Sequence, residues 1–422
     1  MVRMRYQIAR WVMAHHAITG VICGLITIFF AIGLRNVRIK PIFVDLLPRN
    51  DLFVQLRGVK TTTDVNRLSP LEYIQATKRN RGLAKIYAKS NIVTANGRPW
   101  IDGNPFPDPN SAIELFAALT LSWGRHDASF SAIKEYNLAV IGNVEFLYES
   151  GWAERSAVAR VSIDPNPYWP AHEAMLRYQS IFFFVPQNVR GTSFLNLWSY
   201  GQSTIPKLYG YLPEFRRIRE FPANPRFERM IPGSTLYLFD ARAAGDPLNT
   251  WGSYCIVARG PCLAAVFASW NGTHPNWEHT TRSGPKGRTF WDTNVELVPE
   301  AIIVEAEPVR FPRAPASKKR VWIDARTILP IAIWFPMTAW GEPYRSLDGV
   351  YSLYEYGEKQ FMEGAYPYWS WAHAHAFDVL SGRMCRLEQV RTISGGYATS
   401  VNDAFICEHY LTPAALMRLG NA

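Results

Sequence analysis

With 422 residues, 48% of them hydrophobic and 19% charged, the chain is long enough for one large domain or two ordinary ones and has the composition of a packed core, which excludes disorder as its default state. Its 15 Trp, 20 Tyr and 23 Phe, set among 28 Gly and 29 Pro, suit a strand-rich domain with many turns better than a helical bundle. The formal charge of +10 is not a nucleic-acid signal: residues 1–60 hold nine Lys/Arg against two Asp/Glu, the remainder 36 against 33, and there is no basic helix or RNA-binding motif.

The basic surplus flanks an apolar run. Residues 17–34 (AITGVICGLITIFFAIGL) carry no charge and approach the ~20 residues that cross about 30 Å of hydrocarbon. Tyr6 and Trp11 suit one interface. The positive-inside rule leaves the orientation open, because Arg3, Arg5 and Arg10 precede the run while Arg35, Arg38 and Lys40 follow it. A retained anchor is expected. The alternative is a cleaved signal peptide with Ala31-x-Gly33 as its small-x-small site, although its apolar region would exceed the usual ~7 to 15 residues. The expected organisation is a cytoplasmic tip and transmembrane anchor over 1–34, a connector over 35–67 and one soluble domain over 68–422.

In the soluble part, Ser69 and Pro70 are placed to open a helix running toward Lys85. Residues 97–110 (GRPWIDGNPFPDPN) read as an extended, turning loop, and apolar spacing from Ser111 predicts a short helix. The pattern then changes to period two. Residues 156–163, 177–185, 234–239, 254–270, 301–307, 318–335, 349–359, 369–382 and 385–411 read as strands or hairpins. The expected fold is mainly β (α+β): a large curved antiparallel sheet or half-barrel with a few packed helices behind one transmembrane helix.

Cys23 lies in the apolar run. Cys255 and Cys262 bracket IVARGP, and Cys385 and Cys407 flank Ser394-Gly395-Gly396. Bridges 255–262 and 385–407 would each cross a hairpin and persist in an oxidising compartment, one of three connectivities; four buried free thiols are the alternative. The absence of C-x-x-C argues against a zinc ribbon or thioredoxin-type site.

G-x-S-x-G, H-E-x-x-H, a Walker loop and a dinucleotide fingerprint are absent, so no enzyme class has motif support and no cofactor is expected. On the strand around residue 373, Trp369, Trp371, His373, His375 and Phe377 share one face and mostly small residues the other. That face suits the lining of a core or ligand cavity. His373 and His375 could also present two imidazoles to a metal ion, with His279 or His409 as third ligands that the sequence does not place, but no metal site is expected. Arg216, Arg217 and Arg219, beside Glu214 and Glu220, suit an anionic head group or a partner's carboxylates, or else solvated cross-strand ion pairs.

Two resemblances add to this. Val44-Asp45-Leu46-Leu47-Pro48-Arg49-Asn50-Asp51, after the apolar run, resembles the first helix and periplasmic segment of resistance-nodulation-division exporters of the MmpL-like type. The likeness covers about residues 15–55 and implies a cytoplasmic N-terminus and a periplasmic remainder. With no further span for proton-relaying carboxylates, transport by this chain alone is not expected. From about residue 68 the chain resembles the domain of unknown function 1329 family, relatives of outer-membrane lipoprotein-sorting proteins. The matching residues are 103–109 with Glu114, 189–192, 208–222, Arg320-Val321-Trp322-Ile323-Asp324 and the YEYGEK strand. This resemblance implies a lipoprotein-carrier half-barrel, helices against its concave side and an apolar cavity. The expected function is binding or handover of a lipid or other hydrophobic ligand at the inner membrane, beside an exporter; the alternatives are a structural adaptor subunit and an unrecognised hydrolase.

Overall fold

The computed structural model describes residues 54–60 and 69–420, except 123–124, 141–143, 223–228, 230, 232, 237–244, 265, 268–281, 284–289, 311–315, 335–336, 340–341, 346–348, 357–367, 379–380 and 382. The expected membrane run lies outside the described residues. Among them, no helix is long and apolar enough to cross a membrane.

The fold is mainly β, with one 17-stranded sheet and few helices. After β1 (Val54–Lys60), a first antiparallel meander runs through β2 (Ala128–Leu138), β3 (Val144–Ser156), β4 (Met175–Val185), β5 (Ser193–Ser199), β6 (Lys207–Leu212) and β7 (Arg217–Phe221). A second runs through β8 (Trp251–Ala264), β9 (Phe290–Pro308), β10 (Lys319–Asp324), β11 (Leu329–Trp334), β12 (Gly349–Tyr356), β13 (Tyr368–Asp378) and β14 (Arg383–Val390). The two meanders join where β14 pairs antiparallel with β2, Met384 opposite Leu138. The sheet is not wholly antiparallel, because β1 runs parallel to the start of β9.

The helices are α1 (Leu71–Arg79), α2 (Ala112–Ser122), α3 (Ile406–Tyr410) and α4 (Pro413–Gly420). A capping box opens α2. Ser111 Oγ accepts the Glu114 amide at 3.4 Å, and Glu114 Oε2 accepts the Asn110 and Ser111 amides at 2.6 and 3.3 Å. Helices cover both faces of the first meander, not one side only. On β4, Phe182 packs with Leu416 and Leu419 of α4, whereas Arg177, on the opposite parity, reaches α2. The apolar run SIFFFV is thus a strand buried on both faces. Gly191, at φ +83°, permits the end of α4 to approach the β4–β5 turn, since a Cβ there would lie 2.5 Å from the Gly420 carbonyl oxygen.

Several expected elements differ. The first helix starts after Pro70, with no side-chain cap from Ser69, and ends at Arg79, short of Gly82 at φ +81°. Residues 157–163 are loop, because Asp127 accepts the amides of Val161, Ser162 and Ile163 at 2.8, 2.6 and 2.6 Å in place of a strand partner. Residues 234–236 are likewise not strand, and 406–410 are helix. Strands β2, β3, β5 and β6 were not among the expected ones; β2 and β3 carry Glu135, Asn137, Glu149 and Glu154 at positions where the two-residue pattern asks for apolar groups.

Candidate functional site

Helix α2 lies where the two meanders face one another. It is apolar nearly all round, and Leu115, Phe116, Ala117, Ala118 and Leu119 are all buried. They form one cluster with Leu176 and Trp198 of the first meander and with Trp251, Ile302, Val304, Val321 and Ile323 of the second. The Lys319 ammonium sits 4.6 Å from the Phe116 ring centre and 4.5 Å from that of Trp251, a cation–π contact that offsets burying its charge.

At the C-terminal end of α2 the lining turns polar. A cavity of about 20 Å³, room for roughly one water, is bordered by Tyr73, Ser122, Arg125, His126, Asp127, Glu154 and Arg177, among others. Arg125 donates to the Tyr73 hydroxyl, to Ser122 O and Oγ at 3.2 and 3.0 Å, and to Thr327 O at 2.8 Å. None of these partners is a carboxylate, and Nε is buried without a partner. Burial works against the Arg125 charge; the Tyr73 hydroxyl favours it.

Arg177 ties the pocket to the helix. It donates to Thr120 O, lies 3.5 Å from Glu154 Oε1 and stacks 5.4 Å from the Trp198 ring centre. Gln179 donates to the other Glu154 oxygen at 2.5 Å. Burial raises the Asp127 carboxyl pKa, while the three loop amides and Arg160 pull it back. Both carboxylates are therefore engaged. The set presents donors to a small space and suits holding a polar group or a water better than moving protons.

Two further buried arginines stand behind this loop. Arg155 donates to Ala404 O at 2.9 Å and lies 4.3 Å over the Trp169 ring. Arg160 is 0% exposed and none of its three guanidinium nitrogens has a hydrogen-bond partner. A separate buried acid, Glu135, accepts from Ser234 Oγ at 2.6 Å and Asn137 Nδ2 at 2.9 Å on one oxygen, leaving the other bare. Burial raises its pKa, so the neutral acid is favoured there. No sequence motif marks the pocket. Its residues come from α1, the loop after α2, β3 and β4, and only the turn geometry at Asp127 assembles them.

The expected aromatic face on β13 is placed only by backbone register: His373 opposes Glu388 and His375 opposes Arg386. The side chains of Trp369, Trp371, His373, His375 and Phe377 lie outside the described residues, as does His279; His409 sits in α3. Arg216, Arg217 and Arg219 lie on the exposed β6–β7 hairpin, where Arg217 opposes Leu212 and Arg219 opposes Gly210, so among the described residues the alternative of cross-strand ion pairs is not seen. Arg219 instead lies 4.5 Å over the ring of Phe215.

The expected disulfides are corrected. All four described cysteines are free, Cys255 exposed and the others buried. Cys255 and Cys262 occupy one continuous strand, β8, opposite Glu305 and Val298; seven residues of strand put them about 23 Å apart, far beyond a bridge. Cys385 packs with Ile133 and Phe183 on one face of the sheet, and Cys407 with Phe182 and Leu416 on the other. Burial, with Asp324 adding to it, pushes the Cys262 thiol up to about 12, so it behaves as a small apolar side chain.

No functionally curated protein matches the chain. Solved structures that resemble it include a DUF1329 family protein from Desulfovibrio piger, at 12% identity over 69% of this chain and 92% of that one with a TM-score of 0.44. A domain described as an outer membrane lipoprotein-sorting protein from Vibrio parahaemolyticus matches at 13% identity over 73% and 97%, TM-score 0.44. A LolA superfamily protein from Nitrosomonas europaea matches at 11% identity over 70% and 95%, TM-score 0.39. The family model described as "Protein of unknown function (DUF1329)" matches residues 45–417, so the chain belongs to the DUF1329 family.

Proposed function

We propose that this protein binds or hands over a lipid or other apolar ligand, without covalent chemistry, from the outer side of the membrane in which residues 17–34 anchor it. The observation that carries the reading is helix α2: an apolar helix, buried on nearly all sides between two walls of one sheet. Its preceding loop is rich in proline, and beyond the capping box its polar ties gather at its last turn: Thr120 to Asp246 O at 3.1 Å, Arg177 to Thr120 O, and Arg125 to Ser122 O and Oγ. A ligand entering there would replace α2 against Trp251, Ile302 and Val321. Covering about 300 Å² of apolar ligand at ~25 cal/mol per Å² supplies roughly 7 kcal/mol, before the costs of moving the helix and ordering the ligand. The polar pocket at the helix end would receive the ligand's head group.

The test is photo-crosslinking of the full-length protein in lipid with an acyl chain carrying a diazirine. Crosslinks in residues 112–122 and in β8–β10, competed by unlabelled lipid, are expected. Labelling confined to residues 17–34 would sink the reading.

A second reading rests on the same interior. The pocket beside α2 holds little more than a water, which favours a filled domain serving as accessory subunit to an exporter of the resistance-nodulation-division type. Stable co-purification with such an exporter, with no interior crosslink, distinguishes it.

A further inference from the structure

Three hairpin tips of the first meander emerge at one end of the sheet. Leu138 pairs with Val144, Phe182 with Ser193, Ser193 with Tyr211 and Leu212 with Arg217, so the turns after β2, β4 and β6 lie side by side. These tips are not ordinary polar turns. Val140 is 61% exposed and Phe215 49%, with Phe146 and Leu147 exposed beside them. Around them stand Arg190, Arg216, Arg217 and Arg219, all exposed.

The charge is unbalanced. Arg383 at this end is paired with Glu145, and Glu220 is engaged by Tyr209, but no described carboxylate pairs with Arg216 or Arg217. Glu214 and Glu220 are the exposed acids of the β6–β7 hairpin, against the three arginines Arg216, Arg217 and Arg219. The conformation of that turn is also informative. Arg216 holds φ +48°, in the left-handed region where glycine or asparagine sits at less cost. An arginine kept there, beside an exposed aromatic ring over which Arg219 is stacked, points to a use for the side chain outside the fold.

We propose that this end of the sheet docks on the surface of an anionic lipid bilayer, Phe215 and Val140 entering the interface and Arg216, Arg217 and Arg219 meeting the phosphates. Exposed apolar residues rimmed by basic ones are the composition of an interfacial membrane contact. The inference does not depend on an interior ligand. Nor does the N-terminal anchor prevent it, because the 19 residues from 35 to 53 can span up to about 60 Å, enough for either end of the sheet to reach the bilayer. Tethering also makes a weak contact effective by raising its local concentration.

The experiment is hydrogen exchange on the full chain in nanodiscs, either of phosphatidylcholine alone or of phosphatidylcholine and phosphatidylglycerol in about three-to-one ratio. Amides of residues 139–147, 187–192 and 214–217 are expected to exchange more slowly in the anionic discs, by about fivefold for each arginine that contributes. The triple variant Arg216→Gln, Arg217→Gln, Arg219→Gln, all at exposed positions, is expected to keep its Tm and lose the protection. Arg216→Gly is expected to match or exceed the wild-type Tm while losing about fivefold of protection, which separates the turn's strain from its use. Equal exchange in both lipids, or protection that survives the triple substitution, overturns the proposal. Protection in native membranes but not in discs made from their extracted lipids assigns the surface to a protein partner and likewise overturns it.

Discussion

Strands β3 and β4 turn Glu154, Arg177 and Gln179 toward the end of α2, whereas β8–β10 turn Trp251, Ile302, Val304, Val321 and Ile323 toward its middle. One helix therefore reads two chemistries. On the second meander one charge, Lys319, also reaches the helix, over Phe116 and Trp251, while others lie away from it: Arg259 meets Glu300 at 3.2 Å in the open, and Lys318 meets Glu305 at 3.0 Å. On the first, Arg177 is buried beside Glu154, and a buried charge left without a partner costs several kcal/mol while an exposed pair contributes little. The apolar wall supplies stability. The polar wall fixes where the helix end sits.

That contrast can be tested from both sides. The largest effect belongs to the apolar wall: Phe116→Ala removes a ring that packs against Tyr254 at 5.2 Å and under Lys319, and should lower stability in urea by about 4 kcal/mol. On the polar wall, Arg177→Met leaves the half-buried Glu154 beside Gln179 without its cation and should cost about 2 kcal/mol; adding Glu154→Gln should recover much of that loss. A loss that persists in the double variant would show that Arg177 acts through Thr120 and the helix end alone.

Glu135 sharpens the comparison through pH. Burial holds its carboxyl above the ordinary value of 4.5, with no cation among the causes of the shift. The folded state keeps a proton that the unfolded chain releases, so the stabilising contribution is complete below the ordinary value and is lost as pH rises through the folded one. Glu135→Gln keeps a neutral group and should be the more stable protein at neutral pH. The advantage should shrink toward acid, where wild type is protonated in both states; a constant difference across the range would mean that folding does not shift the Glu135 carboxyl. Smallest of all, Arg259→Ala should change stability by less than about 0.5 kcal/mol, because both partners stand in water.

Strand periodicity made much of the second meander legible: the hairpin of β10 and β11 falls where residues 318–335 place it, around the turn after Asp324. The helix from Ser111 was legible through its apolar spacing, and the Ser-x-x-Glu box that opens it was there to be read. The pocket was not. Arg125, Asp127, Glu154 and Arg177 are dispersed over more than fifty residues, and the strands that carry two of them, β3 and β4, differ in legibility because Glu149 and Glu154 break the alternation on β3 while SIFFFV is unmistakably apolar on β4. The loop after β3 was misread for the same reason: SAVARVSI has a strand's composition, and only the distant carboxylate of Asp127 diverts its amides. Cysteine spacing misled because one continuous strand and a hairpin can share one sequence spacing.

The junction of β14 with β2 bears on the order of events during synthesis. Leu138 waits for Met384, and Ala132 for Val390, so the first meander carries an unpaired strand edge until nearly the whole chain has emerged. Pairings of such long sequence separation are slow to form, and an exposed β edge is open to wrong partners in the meantime. A chain of this design gains from being held unfolded until its last strand arrives, and truncations before residue 383 should yield aggregates instead of a smaller soluble domain.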